Sequence, residues 1–167
     1  MLPIVATISA TVTLAMIGVM AGLFFAFSNS VMRALDAVSP ECAIRAMQSI
    51  NRKILNPVFL ATFVLAPVVA MVTGWLLIWL DETWAAAIMI AAAVVYALGS
   101  LAVTFVVNVP MNNALDAATV PTDPNEAAGM WSDYSGPWTR WNTLRALACT
   151  VSLLLVGLSL FAWGREW

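Results

Sequence analysis

Four stretches, Ile4 to Phe27, Pro57 to Leu80, Trp84 to Val107 and Thr143 to Trp163, each run for about 20 residues or more with Arg145 as their sole charged side chain. At 1.5 Å per residue, a helix of about 20 apolar residues crosses the roughly 30 Å of bilayer hydrocarbon. A water-soluble fold could not bury all four. The chain is 62% apolar and 10% charged, against roughly 45–50% and 25% in soluble domains, and its mean hydropathy is +0.91. The sequence therefore predicts an all-α protein, a four-transmembrane-helix bundle forming a single membrane domain over residues 1–167. The N-terminal stretch lacks a basic leader and a small-residue cleavage site, so it is expected to remain as the first span.

The connections are unequal. Only Asp81, Glu82 and Thr83 separate the second and third stretches, which requires antiparallel neighbours joined by a tight turn. Between the first and second, Pro40 is followed by Ala43, Ile44, Met47, Ile50 and Ile54 at helical spacing, with Arg45, Gln48, Arg52 and Lys53 interleaved. This predicts an amphipathic helix at the membrane surface. Between the third and fourth, Pro110, Pro121, Pro124, Pro137, Gly129 and Gly136 predict a long structured loop with a turn or two of helix. Both long connections lie on one side, with Arg33, Arg45, Arg52, Lys53, Arg140 and Arg145, whereas Arg165 is the basic side chain of the other. By the positive-inside rule that side is expected to be cytoplasmic, with both termini outside. On the outer side Trp84, Trp163 and Trp167, joined by Trp75 and Trp79, read as interfacial anchors.

The two halves resemble each other. Asn29-Ser-Val-Met-Arg-Ala-Leu-Asp-Ala follows the first span, and Asn108-Val-Pro-Met-Asn-Asn-Ala-Leu-Asp-Ala follows the third; Met47-Gln-Ser-Ile-Asn51 matches Trp138-Thr-Arg-Trp-Asn142. Two parallel helical-hairpin repeats would explain this, as would chance recurrence in an alanine- and leucine-rich chain.

Charge excludes one class of function. Seven basic and nine acidic residues, scattered without runs, leave no electrostatic footprint for nucleic acid. Cys42 and Cys149 form no redox motif, and the absence of histidine removes the commonest metal ligand and acid–base group. Asp, Glu, Cys or Met could still hold a metal or a haem, although no cofactor is expected.

Polar residues concentrate instead at the end that carries the long connections. Asn108 and Asn112 are four apart, and Asn142 and Arg145 three apart, so each pair shares a helical face. Asn51, Trp131, Trp138 and Trp141 fall in the same region. Asn56, followed by Pro57, reads more simply as a helix cap. The tryptophans could equally be interfacial anchors, and Arg145 could reach out to lipid phosphate, although an arginine inside a span is costly without a partner.

The residues Gly22-Leu-Phe-Phe-Ala-Phe-Ser28, Ala46-Met-Gln-Ser-Ile-Asn51 with Asn56-Pro57, Thr104 with Asn108-Val-Pro-Met-Asn112, and Trp138-Thr-Arg-Trp-Asn-Thr-Leu-Arg145 resemble the anthrone oxygenase-like family of small membrane proteins. That resemblance implies oxidation of an anthrone to an anthraquinone by dioxygen without a dedicated cofactor. It carries over Arg145, Asn108, Asn112 and Asn142 as catalytic residues, and Trp138, Trp141 and Asn51 as substrate-binding residues, with Trp131 as a weaker addition. The expected partners are the bilayer, dioxygen and a small hydrophobic or aromatic substrate. The alternative is a non-enzymatic protein that binds or permeates a quinone, a lipid or another amphiphile. Asp116 and Asp133 are the carboxylates nearest to these residues in sequence, and water or hydroxide could equally take the proton.

Overall fold

Five helices account for nearly all of the chain in the computed structural model, which describes residues 1–165. They are α1 (Leu2–Asp36), α2 (Pro40–Ile54), α3 (Pro57–Ile78), α4 (Thr83–Ala117) and α5 (Pro124–Gly164). All but α2 are long and apolar enough to cross a membrane, as expected of an integral membrane protein. The spanning helices form a ring in which α1 packs on α3 and α5, and α4 likewise on α3 and α5. Crossing in succession makes every neighbour antiparallel and leaves the parallel pair α1 and α4 diagonally opposed.

Small side chains bring the helices together. Ala6, Ala10, Ala66, Ala70, Ala85, Ala86, Ala92 and Ala93 are buried at the contacts, where lipid offers no hydrophobic drive and close packing holds helices together. An added Cβ at Gly99 would stand 2.5 Å from the Cβ of Ala148, so α4 and α5 meet there only because residue 99 has no side chain. Hydroxyls tie helices across the bundle: Ser152 Oγ donates to the Ala92 carbonyl at 2.8 Å and Ser159 Oγ to that of Ala85 at 2.7 Å. Pro67 inside α3 has no N–H for the carbonyl four residues back, that of Phe63. The Tyr96 hydroxyl of α4 donates to it instead, at 3.1 Å.

Three local features match the sequence reading. Asn56 caps α3, its side chain accepting from Phe59 N at 3.0 Å. The turn between α3 and α4 is tight, with Asp81 at φ 64°, a conformation that aspartate tolerates. Trp75, Trp79 and Trp84 are exposed at that end. Trp163, by contrast, is only 7% exposed and belongs to the core, and Trp167 lies outside the described residues.

The polar end is more ordered than the prolines suggest. The expected loop before the fourth span is for the most part helix: α4 runs to Ala117, and α5 begins at Pro124, with Asp123 as its cap accepting from the backbone N–H of Asn125 and Glu126. Pro124 occupies the first helical turn, where no N–H is needed, and Pro137 sits on an exposed face of α5. The apolar face of α2 (Ala43, Ile44, Met47) is buried against Met32, Leu115, Ala127, Trp131, Tyr134 and Trp138, so it packs on protein. Together these residues form a second core beyond the ends of the spans.

The halves correspond in layout. A π-helical segment, Phe27–Val31 in α1 and Thr104–Asn108 in α4, precedes each Ala-Leu-Asp-Ala motif. The aspartates of the motif make reciprocal bonds across the halves: Trp131 Nε1 donates to Asp36 at 2.8 Å, and Arg52 pairs with Asp116. The Gln48 side-chain amide also caps the end of α4, donating to the Leu115 and Ala118 carbonyls at 2.9 and 3.1 Å. Each half latches the other.

Candidate functional site

Where the spanning helices meet this second core, a cavity of about 70 Å³ opens between α1, α2, α3, α4 and α5. Its polar lining consists of Asn51, Thr104, Asn112, Asn142 and Arg145; its apolar lining includes Phe24, Phe27, Trp138 and, around the break between α2 and α3, Ile54, Leu55 and Phe59. Leu55 is exposed, and so marks the rim.

Arg145 is the centre of the arrangement. It enters from α5 and is 5% exposed. Its Nη1 donates to Thr104 Oγ1 at 3.0 Å and its Nη2 to Asn142 Oδ1 at 2.7 Å. The guanidinium carbon lies 4.4 Å from the centre of the Phe24 ring and 5.5 Å from that of Trp138, within the range in which a ring quadrupole attracts a cation. Its Nε has no partner among the described residues. A guanidinium carries five N–H donors, and the hydrogen bonds to Thr104 and Asn142 leave the others unused.

Asn142 fixes the guanidinium from below. Its Nδ2 donates to the Phe24 carbonyl and to Ser28 Oγ, both at 2.7 Å. The Phe24 carbonyl also takes the backbone N–H of Phe27, at the point where the regular ladder of α1 gives way to a π-helical segment. With its NH₂ committed, the Asn142 oxygen is presented to Arg145. The neutral groups around the charge are thus held from two further helices, α1 and α4.

Asn112 is organised from α5. Its Oδ1 accepts from Tyr134 OH at 2.9 Å and from Trp138 Nε1 at 2.8 Å, which leaves its NH₂ as the group available to the cavity. Asn51 Nδ2 donates weakly to Tyr134 OH at 3.4 Å. Trp131, Tyr134 and Trp138 form a ladder of rings along α5, with centroids 5.8 and 6.3 Å apart, and Phe27 leans on Trp138 at 5.9 Å. Trp138 is therefore one wall of the cavity, clamped by its neighbours and by its N–H.

The structure brings together Arg145, Asn142, Asn112, Trp138 and Asn51. Asn108 is not at the cavity wall; it is 1% exposed, one turn along α4 from Thr104, and both its side-chain polar atoms lack partners among the described residues. Trp131 is buried in the second core and holds Asp36. Trp141 is 41% exposed and does not line the cavity: the buried stripe of α5 runs through Trp138, Asn142 and Arg145, and Trp141 stands beside that stripe on its outward edge. Neither Asp116 nor Asp133 lines it either: Asp116 is paired with Arg52, and Asp133 borders a separate groove beside Tyr134.

Sequence reasoning gave no role to Phe24, Ser28, Thr104 or Tyr134. Thr104, Asn108 and Asn112 form an i, i+4, i+8 series that could have signalled the first of the polar partners. Phe24 falls within the Gly22 to Ser28 pattern that carries the resemblance, but nothing there singled it out, since it contacts Arg145 only through the fold. Among the described residues no three His, Cys, Asp or Glu side chains come together as a metal site.

No curated protein and no solved structure matches the chain. The family model of the anthrone oxygenases matches residues 53–155, a segment that includes Thr104, Asn108, Asn112, Trp138, Asn142 and Arg145 but neither Asn51 nor the α1 residues Phe24 and Ser28. The match covers well over half of the chain and contains most of the polar side chains at the cavity, and the chain belongs to the anthrone oxygenase family.

Proposed function

We propose that this protein is a membrane oxygenase that oxidises a planar anthrone-like substrate with dioxygen at the Arg145 cavity. One observation carries the reading: a buried guanidinium with unused donors stands at a cavity walled by clamped aromatic rings. An anthrone is a flat, apolar tricycle that partitions into lipid, and its central methylene is acidic because the enolate formed is aromatic. Arg145 and the Asn112 amide donate to the oxygen on which that charge develops, and Trp138 stacks on the rings. The methylene proton leaves to water. The enolate passes an electron to dioxygen, a carbon–oxygen bond forms, the peroxide anion takes a proton back from water, and the hydroperoxide loses water to give the quinone carbonyl. One oxygen atom enters the product and the other leaves as water, so the reaction balances without a further reductant.

The cavity is well below the roughly 300–1,000 Å³ of sites for drug-sized ligands. A tricycle therefore enters by displacing the rim at Ile54, Leu55 and Phe59, where α2 breaks from α3. The excess of basic residues at this end supports a cytoplasmic orientation for the site. The test is isotopic: purified protein in detergent is given an anthrone under labelled dioxygen, and the initial rate is compared with spontaneous autoxidation. The expected result is label in the new carbonyl at a rate well above background. A rate equal to background with several anthrones would overturn the proposal and favour a protein that only binds amphiphiles.

A further inference from the structure

We propose that the Arg145 cavity is an anion site, whose ligand is a flat weak acid held as its conjugate base. The identity of the ring system rests on the oxygenase reading; the charge rests on the site. Among the described residues Arg145 has no carboxylate partner: its contacts are Thr104, Asn142 and the rings of Phe24 and Trp138, all neutral. Of the acidic residues of this end, Asp36 is bound by Trp131, Asp116 by Arg52 and Asp123 caps α5, while Asp133 borders another groove; none of these, nor Glu41 or Glu126, lines the cavity.

A buried charge without a counter-ion is costly. Rings and amide dipoles offset part of that cost, and an anionic ligand would offset the rest. Nε of Arg145 and the second hydrogens of its two Nη nitrogens are further donors without partners among the described residues. Polar groups left in this state by the protein fit a ligand that completes them.

Among the described residues that line the cavity none is Asp, Glu, Cys, Lys, Tyr or His, so none of these side chains accepts a proton at neutral pH. Ionisation of the ligand is then favoured only through the product, the anion beside the guanidinium. The substrate class follows: enols and phenols of fused aromatic rings, acidic enough for one positive charge to hold the ionised form, with the proton released to water. Neutral rings of the same shape would bind more weakly.

A dye tests this without turnover. 2-Hydroxyanthraquinone changes its visible absorption when its phenol ionises, so its ionisation can be followed against pH with detergent-purified protein and with empty micelles. Wild type is expected to raise the ionisation constant of the dye roughly 10- to 1,000-fold, as an opposite charge at close range does. Arg145→Gln should abolish the change. Thr104→Asp, which supplies the guanidinium with a carboxylate from within the protein, should abolish it too while retaining a wild-type circular dichroism spectrum. A dye that ionises as in empty micelles, that wild type fails to bind, or that responds alike to all three proteins would overturn the proposal. Oxygen uptake from an anthrone by the same preparations separates the two readings. Uptake with an unshifted dye removes the anion site and leaves the oxygenase; a shifted dye without uptake does the reverse.

Discussion

Asn108 separates a structural from a functional reading at the scale of single residues. A buried amide with unsatisfied donor and acceptor costs about 1–3 kcal/mol relative to an apolar side chain of similar size. Asn108→Leu is therefore expected to leave the thermal midpoint in detergent unchanged or higher and, because Asn108 stands off the cavity wall, to leave anthrone oxidation close to wild type. A drop in the midpoint with proportionate loss of activity would contradict that. Arg145 and Asn142 were legible in sequence because charge and amides stand out inside an apolar stretch. Trp138 and Trp141 could not be told apart in sequence: they lie near one another on the helix, and only the direction of the core sets Trp138 rather than Trp141 at the cavity wall. Phe24, though inside the Gly22 to Ser28 pattern, could not be told from Phe25 or Phe27 until the fold set it 4.4 Å from a guanidinium.

For the elements, hydropathy reported lipid contact and underestimated helix. The spans were found nearly at their ends, whereas α1, α4 and α5 continue past the apolar stretches into the second core. The polar part of α5 carries its own periodicity, with Ala127, Trp131, Tyr134, Trp138 and Asn142 buried at intervals of three and four. The prolines masked it, although Pro124 starts the helix and Pro137 faces outward. Pro67 offers a sharper test of helix chemistry. Tyr96→Phe should leave the Phe63 carbonyl without a donor and cost about 1–3 kcal/mol. In a Pro67→Ala background, where residue 67 supplies its own N–H, the same substitution should cost much less. Equal costs in both backgrounds, measured by thermal unfolding, would mean that the tyrosine acts through packing alone.

Considered as a whole molecule, the protein places its polar side chains at one end of a four-helix ring and latches its two halves through matching aspartates. The repeated Ala-Leu-Asp-Ala motif thus has a physical role in both copies, with Asp36 held by Trp131 and Asp116 by Arg52. The membrane class and the number of spans could be read from sequence because lipid imposes them on every apolar stretch. The cavity could not, because it depends on how far α2 and the start of α5 lean over the bundle. The proposed cytoplasmic orientation rests on the charge asymmetry and is open to direct labelling. Cys42 is exposed on α2 and Cys149 is buried, so a membrane-impermeant thiol reagent should modify Cys42 in inverted vesicles and spare it in sealed right-side-out cells. The opposite pattern would turn the site to the outer face.

The central claim is that oxidation occurs at the Arg145 cavity, and the rate of anthraquinone formation, corrected for autoxidation, tests it most directly. Wild type should exceed background, Arg145→Ala should lose about 10²- to 10³-fold, as expected when an oxyanion donor is removed, and Trp141→Ala, altered outside the cavity, should remain close to wild type. Wild-type activity in Arg145→Ala, or an equal loss in Trp141→Ala, would contradict the account.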